Sequence, residues 1–141
     1  MMSKLVRVLL TSFVALSFLG AFAQEQEPTV SFTLRGGLGS QGFEFMGVGG
    51  DIDAVRNPDL NVKVGDVVEV ILINGDASGM VHDFVIPDLE VASAKARVQN
   101  ESVRVVFTVT AAGTFTYLCS EPGHALPEAN FGMFGKLIVS D

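Results

Sequence analysis

Apolar and polar residues alternate along several short stretches of this chain, the spacing of strands that turn one face to a core. Between Thr29 and Arg35, Val30, Phe32 and Leu34 alternate with Ser31, Thr33 and Arg35. The glycine-rich run 36–42 is expected to break that strand. Residues 43–46 read as a short aromatic strand, and 47–58, rich in Gly and Asp, as a loop. Residues 60–64 and 67–74 are two further strands, which the turn signal Gly65-Asp66 is expected to join as neighbours. In Met80-Val81-His82-Asp83-Phe84-Val85-Ile86 the pattern predicts a buried strand with His82, Phe84 and Ile86 on one face, ended by Pro87. Residues 92–96 fit a helical turn or a short strand equally well. Val103, Val105, Phe107 and Val109 alternate with polar partners, Ala112-Gly113 turns the chain into 114–118, and 136–140 close it. Seven or eight short strands without a long helix predict an all-β fold, a β-sandwich with Greek-key connections.

The first residues follow another pattern. Lys4 and Arg7 precede an apolar run from Val8 to Leu19, and Ala21-Phe22-Ala23 supplies small residues around a cleavage point. Residues 1–23 are therefore expected to be a secretory signal peptide, since the run is short for a membrane anchor. That leaves residues 24–141 as one domain, periplasmic or secreted, with no membrane insertion after cleavage.

Charge and cysteine usage narrow the class. Nine Lys and Arg stand against sixteen Asp and Glu, a net charge of −7 that becomes more negative once Lys4 and Arg7 are removed. Such a chain repels nucleic acid. Its aspartates, among them Asp51, Asp66, Asp76, Asp83 and Asp88, are scattered, as suits solubility. With one cysteine in the chain, no internal disulfide can form and the core alone must hold the domain. An exported free thiol is easiest to account for if it is buried or held by a metal.

The scarce residue types gather in two places. Cys119 and His124 lie in Tyr117-Leu-Cys-Ser-Glu-Pro-Gly-His-Ala, with Met133 further on, and the other histidine, His82, is carried by the expected buried strand. Two imidazoles, a thiolate and a thioether suit a mononuclear copper. Soft sulfur favours Cu(I), imidazole accepts both oxidation states, and a weak axial Met leaves a trigonal site that need not rearrange when an electron moves. Met80 is the competing axial candidate.

Gly113-Thr-Phe-Thr-Tyr-Leu-Cys-Ser-Glu-Pro-Gly-His124 and Gly132-Met-Phe-Gly-Lys-Leu-Ile-Val139 resemble the ligand segment of cupredoxins, the small type 1 blue copper proteins. The stretch from Asn57 through the His82 strand is similar to the same family, including the cupredoxin-like domains of copper nitrite reductases. The resemblance implies a sandwich fold, one copper held by His82, Cys119, His124 and Met133, and single-electron transfer. It also implies a distant axial contact from the Val81 carbonyl. Two features depart from the family. The loop between His124 and Met133 is lengthened by residues 126–131. Asp83 stands where cupredoxins often have Asn, so it can accept hydrogen bonds from the Cys119 loop but cannot donate unless protonated; its ionisation is expected to tune the copper potential.

With both histidines assigned, none remains for a second catalytic copper, and no Cys-x-x-Cys-His for covalent haem is present. An electron carrier rather than an enzyme is expected. Pro122, Ala125, Leu126, Pro127, Phe131 and Phe134 are expected to form an apolar docking face around His124, for a redox partner such as a c-type cytochrome or a copper-containing reductase. The alternatives are a copper-binding or storage protein of the same fold and, far less favoured by the residues, an enzyme with a Cys119–His nucleophilic pair. Residues 36–57 receive no functional account from sequence.

Overall fold

The computed structural model describes residues 26–141, so the expected signal peptide lies outside the described residues. Among these there are eleven strands, four of them only two residues long, and three short 3-10 turns. The seven longer strands account for the count expected from periodicity. No helix among the described residues is long and apolar enough to cross a membrane.

Two sheets pack face to face. The first contains β1 (Val30–Gly39), β2 (Gly42–Gly47), β4 (Val67–Asn74) and β7 (Ser102–Thr108), in the order β2-β1-β4-β7. The second contains β3 (Leu60–Lys63), β5 (Val85–Ile86), β6 (Val91–Ala92), β8 (Gly113–Leu118) and β11 (Phe134–Ser140), in the order β3-β11-β8-β5-β6. Parallel pairing joins β1 to β4 and β3 to β11. A separate ribbon of β9 (Ala125–Leu126) and β10 (Phe131–Gly132) completes the set.

Inward positions of both sheets make one core. Leu34, Phe45, Val68, Val70 and Leu72 from the first sheet meet Leu60, Val62, Ile86, Tyr117, Leu137 and Val139 from the second, all buried. Each fully buried side chain of this size contributes about 1.5–3 kcal/mol, and among the described residues no disulfide assists, since Cys119 is free. Tyr117 keeps its polar end satisfied by donating its hydroxyl hydrogen to the Pro58 carbonyl at 2.6 Å.

Three expectations are corrected. The glycine run does not break the first strand: β1 continues to Gly39 and pairs with β2 through a two-residue turn, Gly39 opposite Gly42. Glycine persists in the strand because neighbours press on it; a Cβ on Gly36 would stand 2.8 Å from the Met133 methyl. Residues 60–64 and 67–74 are strands, but Gly65-Asp66 does not make them neighbours. The turn carries the chain from one sheet to the other: the Asp66 amide closes it on the Lys63 carbonyl at 3.0 Å, and Gly65 N–H reaches the Val109 carbonyl at 2.8 Å. The strand drawn through His82 is shorter than its alternation. His82 makes an isolated bridge with Ala96, donating and accepting at 3.0 and 2.8 Å, and regular pairing starts only at Val85.

Candidate metal centre

Cys119 follows directly from the end of β8 and is 1% exposed. His124, 8% exposed, leads into β9, and His82 is fully buried beside its bridge to Ala96. The tips of these three side chains converge: one donor atom from each of His82, Cys119 and His124 lies within 4.8 Å of the others. Cys119 Sγ is 3.6 Å from His124 Nδ1, and the two imidazole centroids are 5.0 Å apart. These are the chain's single cysteine and both of its histidines.

Backbone bonds fix the spacing. The Cys119 amide donates to the Met133 carbonyl at 3.0 Å, and the Met133 amide to the His124 carbonyl at 2.8 Å. Residues 126–131, the lengthening of this loop, form a closed hairpin. β9 and β10 pair across the 3-10 turn Pro127–Ala129, which ends on Asn130 in the left-handed region. Gly132 at φ 94° permits the return, because a Cβ there would meet the His124 carbonyl oxygen at 2.1 Å.

Met133 is fully buried, and both its methyl and His82 Cβ face Gly36. Met80 is only half-buried, and its carbonyl accepts from the Asn74 side-chain amide.

Charge is handled locally. Burial pushes the Cys119 thiol up to about 11 and pushes both imidazoles below the ordinary histidine value, His82 further disfavoured by His124. Metal-free, the site is a neutral thiol with neutral rings. Asp83 accepts the Ser120 amide at 2.7 Å and the Ser120 hydroxyl at 2.5 Å, tying the residue after His82 to the residue after Cys119.

Several residues at the centre escaped sequence reasoning. Phe43 of β2 stacks on His124, centroids 3.9 Å apart, and turns its edge toward His82 at 6.2 Å. Asn57 accepts the Phe45 amide at 2.9 Å and donates to the Gly132 carbonyl at 2.9 Å, fastening β2 to the ligand loop. Residues 36–57, which had no account, thus supply one wall of the site. Asp76 and Asp83 are no part of the solvated acidic surface; they are 6% and 3% exposed. For Asp76 the one sequence signal was Ser78 two residues on; Asp83, directly after His82, was legible from its position.

No family model matches the chain, and no curated protein does. Solved structures do. Auracyanin B aligns over 83% of this chain and 93% of its own, at 21% identity and a TM-score of 0.60. Rusticyanin from Thiobacillus ferrooxidans aligns over 81% of this chain and 79% of its own, at 26% identity and a TM-score of 0.56. Auracyanin A, described as a "blue" copper protein from the green thermophilic photosynthetic bacterium Chloroflexus aurantiacus, covers 78% of this chain with 99% of its own, at 23% identity and a TM-score of 0.51. The chain thus has a cupredoxin-like fold, and that fold assembles a His-Cys-His cluster able to hold a metal ion.

Proposed function

We propose that this chain is an exported type 1 copper protein that carries single electrons between redox partners. The observation that carries the reading is the convergence of three buried donors, two imidazoles and one thiol, within 4.8 Å. The donor set fits the ion. Buried ring nitrogens without hydrogen-bond partners are costly unless something occupies them, and Nδ1 of His82 is in that state. His82, Cys119 and His124 would hold copper, with the Met133 thioether as a weaker fourth donor. Bound there, copper supplies a one-electron Cu(I)/Cu(II) couple.

The chain's own residues do the rest. Asp83 and the backbone bonds through Met133 fix the loops that carry the donors, so little has to move when the charge changes. Phe43 covers His124 on one side and keeps water from the ring. His124 is the least buried of the three donors, at 8%, and Leu126 and Phe131 beside it in the hairpin are 43% and 42% exposed. That apolar surface suits a brief, small contact with a c-type cytochrome or a copper-containing reductase. Both histidines of the chain are in the cluster, which supports a carrier rather than an enzyme with a second metal.

Stopped-flow mixing of the Cu(I) protein with ferricytochrome c tests this. Rapid oxidation with copper retained is expected. Slow oxidation, with copper given up readily to a chelator, would mark a storage protein instead.

A further inference from the structure

His82 has two ring nitrogens and, being neutral, one proton to place between them. Its Nε2 lies 3.5 Å from Asp76 Oδ2, at the outer limit of a hydrogen bond. Neither atom, nor His82 Nδ1, has another partner, and all three are inaccessible to solvent. A carboxylate oxygen that reaches no solvent and no close donor is expensive to bury, so its direction needs a reason.

The loop between β4 and His82 is folded to aim it. Asn74, fully buried, donates to the Met80 and Ala96 carbonyls at 2.8 and 3.1 Å and accepts the Asp76 amide at 2.8 Å. The Gly75 amide bonds to the Gly36 carbonyl at 2.7 Å. Asp76 Oδ1 is taken by Ser78 alone, from its amide at 2.8 Å and its hydroxyl at 2.5 Å. Those two donors to Oδ1 leave Oδ2 turned to His82.

We infer that Asp76 is a positioning residue for the metal centre: Oδ2 accepts the Nε2 proton of His82, which fixes the tautomer and leaves Nδ1 bare toward Cys119 and His124. A ligating imidazole whose other nitrogen donates to a carboxylate is held in orientation and made a stronger donor. With Oδ1 held by both Ser78 donors, the oxygen left free is the one turned to the ring. The inference rests on the copper reading for its purpose, but not for its test.

Replacement by asparagine separates positioning from structure. Because Oδ1 accepts two hydrogens from Ser78, the single carbonyl oxygen of Asp76→Asn must stay there. Its amide then points donors at Nε2, and only the opposite tautomer of His82 can accept them. Imidazole 15N shifts of the metal-free protein at neutral pH read this directly. Wild type is expected to carry the His82 proton on Nε2, and Asp76→Asn to move it to Nδ1 with a melting temperature close to wild type. Copper affinity in the variant should fall roughly 10- to 100-fold. A wild-type proton on Nδ1, or an unchanged tautomer in folded Asp76→Asn, overturns the inference, and the wild-type measurement decides even if the variant fails to fold. Wild-type protein that binds no copper would instead remove the functional reading, which the tautomer measurement does not touch.

Discussion

Cys119 shows what burial does to one side chain. With its thiol 1% exposed and its pKa pushed up to about 11, it should resist thiol-directed reagents at neutral pH until the protein unfolds. Its titration also sets a sign. The folded value lies above the unfolded one, so the neutral thiol's contribution to stability is complete below about pH 9 and is lost as pH rises through about 11. The metal-free protein should therefore lose on the order of 2 kcal/mol across that window, and Cys119→Ala should lose less; melting curves at intervals of pH measure the difference. At Asp83 the expectation from sequence holds in one part, since the carboxylate does accept from the Cys119 loop through Ser120. Asp83→Ala removes both hydrogen bonds from Ser120, whose exposed donors water can take up, and should cost about 0.5–1.5 kcal/mol in urea unfolding, while Asp83→Asn, which keeps an acceptor for the amide, should cost less. The site residues legible in the sequence were those of rare type. Phe43 and Asp76 were not legible, because phenylalanine and aspartate are common and only the fold says which of them face a histidine.

Strands were readable where one face is buried and the other wet. β4 ends on the residues that alternation predicted, 67–74, and Pro87 begins the 3-10 turn that ends the His82 segment. Alternation cannot say which sheet a strand enters, and that is why the turn at Gly65 misled. Nor can it show that a glycine run stays in register when its partner, β2, supplies the bonds. The ligand-loop hairpin makes a prediction at this scale. Gly132→Ala sets a Cβ 2.1 Å from the His124 carbonyl oxygen, whereas Gly123→Ala, at φ 81°, meets nothing within 4 Å. The second should cost about 1 kcal/mol, the ordinary left-handed penalty. The first should cost about 2 kcal/mol or more and broaden any copper spectrum, because the His124–Met133 bond must break. Equal costs in urea titration would show that the hairpin is not closed as described.

Two sheets of a rigid sandwich hold their ends still, and function gathers in the loops there. In this molecule Cys119 follows β8, His124 precedes β9 and His82 sits at its isolated bridge to Ala96, while Phe43 of β2, fastened by Asn57, closes the site. Phe43→Ala should leave the fold intact, remove a stacking contact of about 1 kcal/mol, and speed copper release to a chelator. At the surface, Leu126→Asp should slow electron exchange with a cytochrome about tenfold, a loss of about 1.4 kcal/mol, without moving the visible spectrum. The measurement that bears most directly on the whole account is a titration of the metal-free, folded protein with Cu(II), followed in visible absorption. One equivalent should raise an intense thiolate-to-copper band that Cys119→Ser abolishes. No band in the wild type, or a band that survives in Cys119→Ser, would contradict the claim that His82, Cys119 and His124 share one copper.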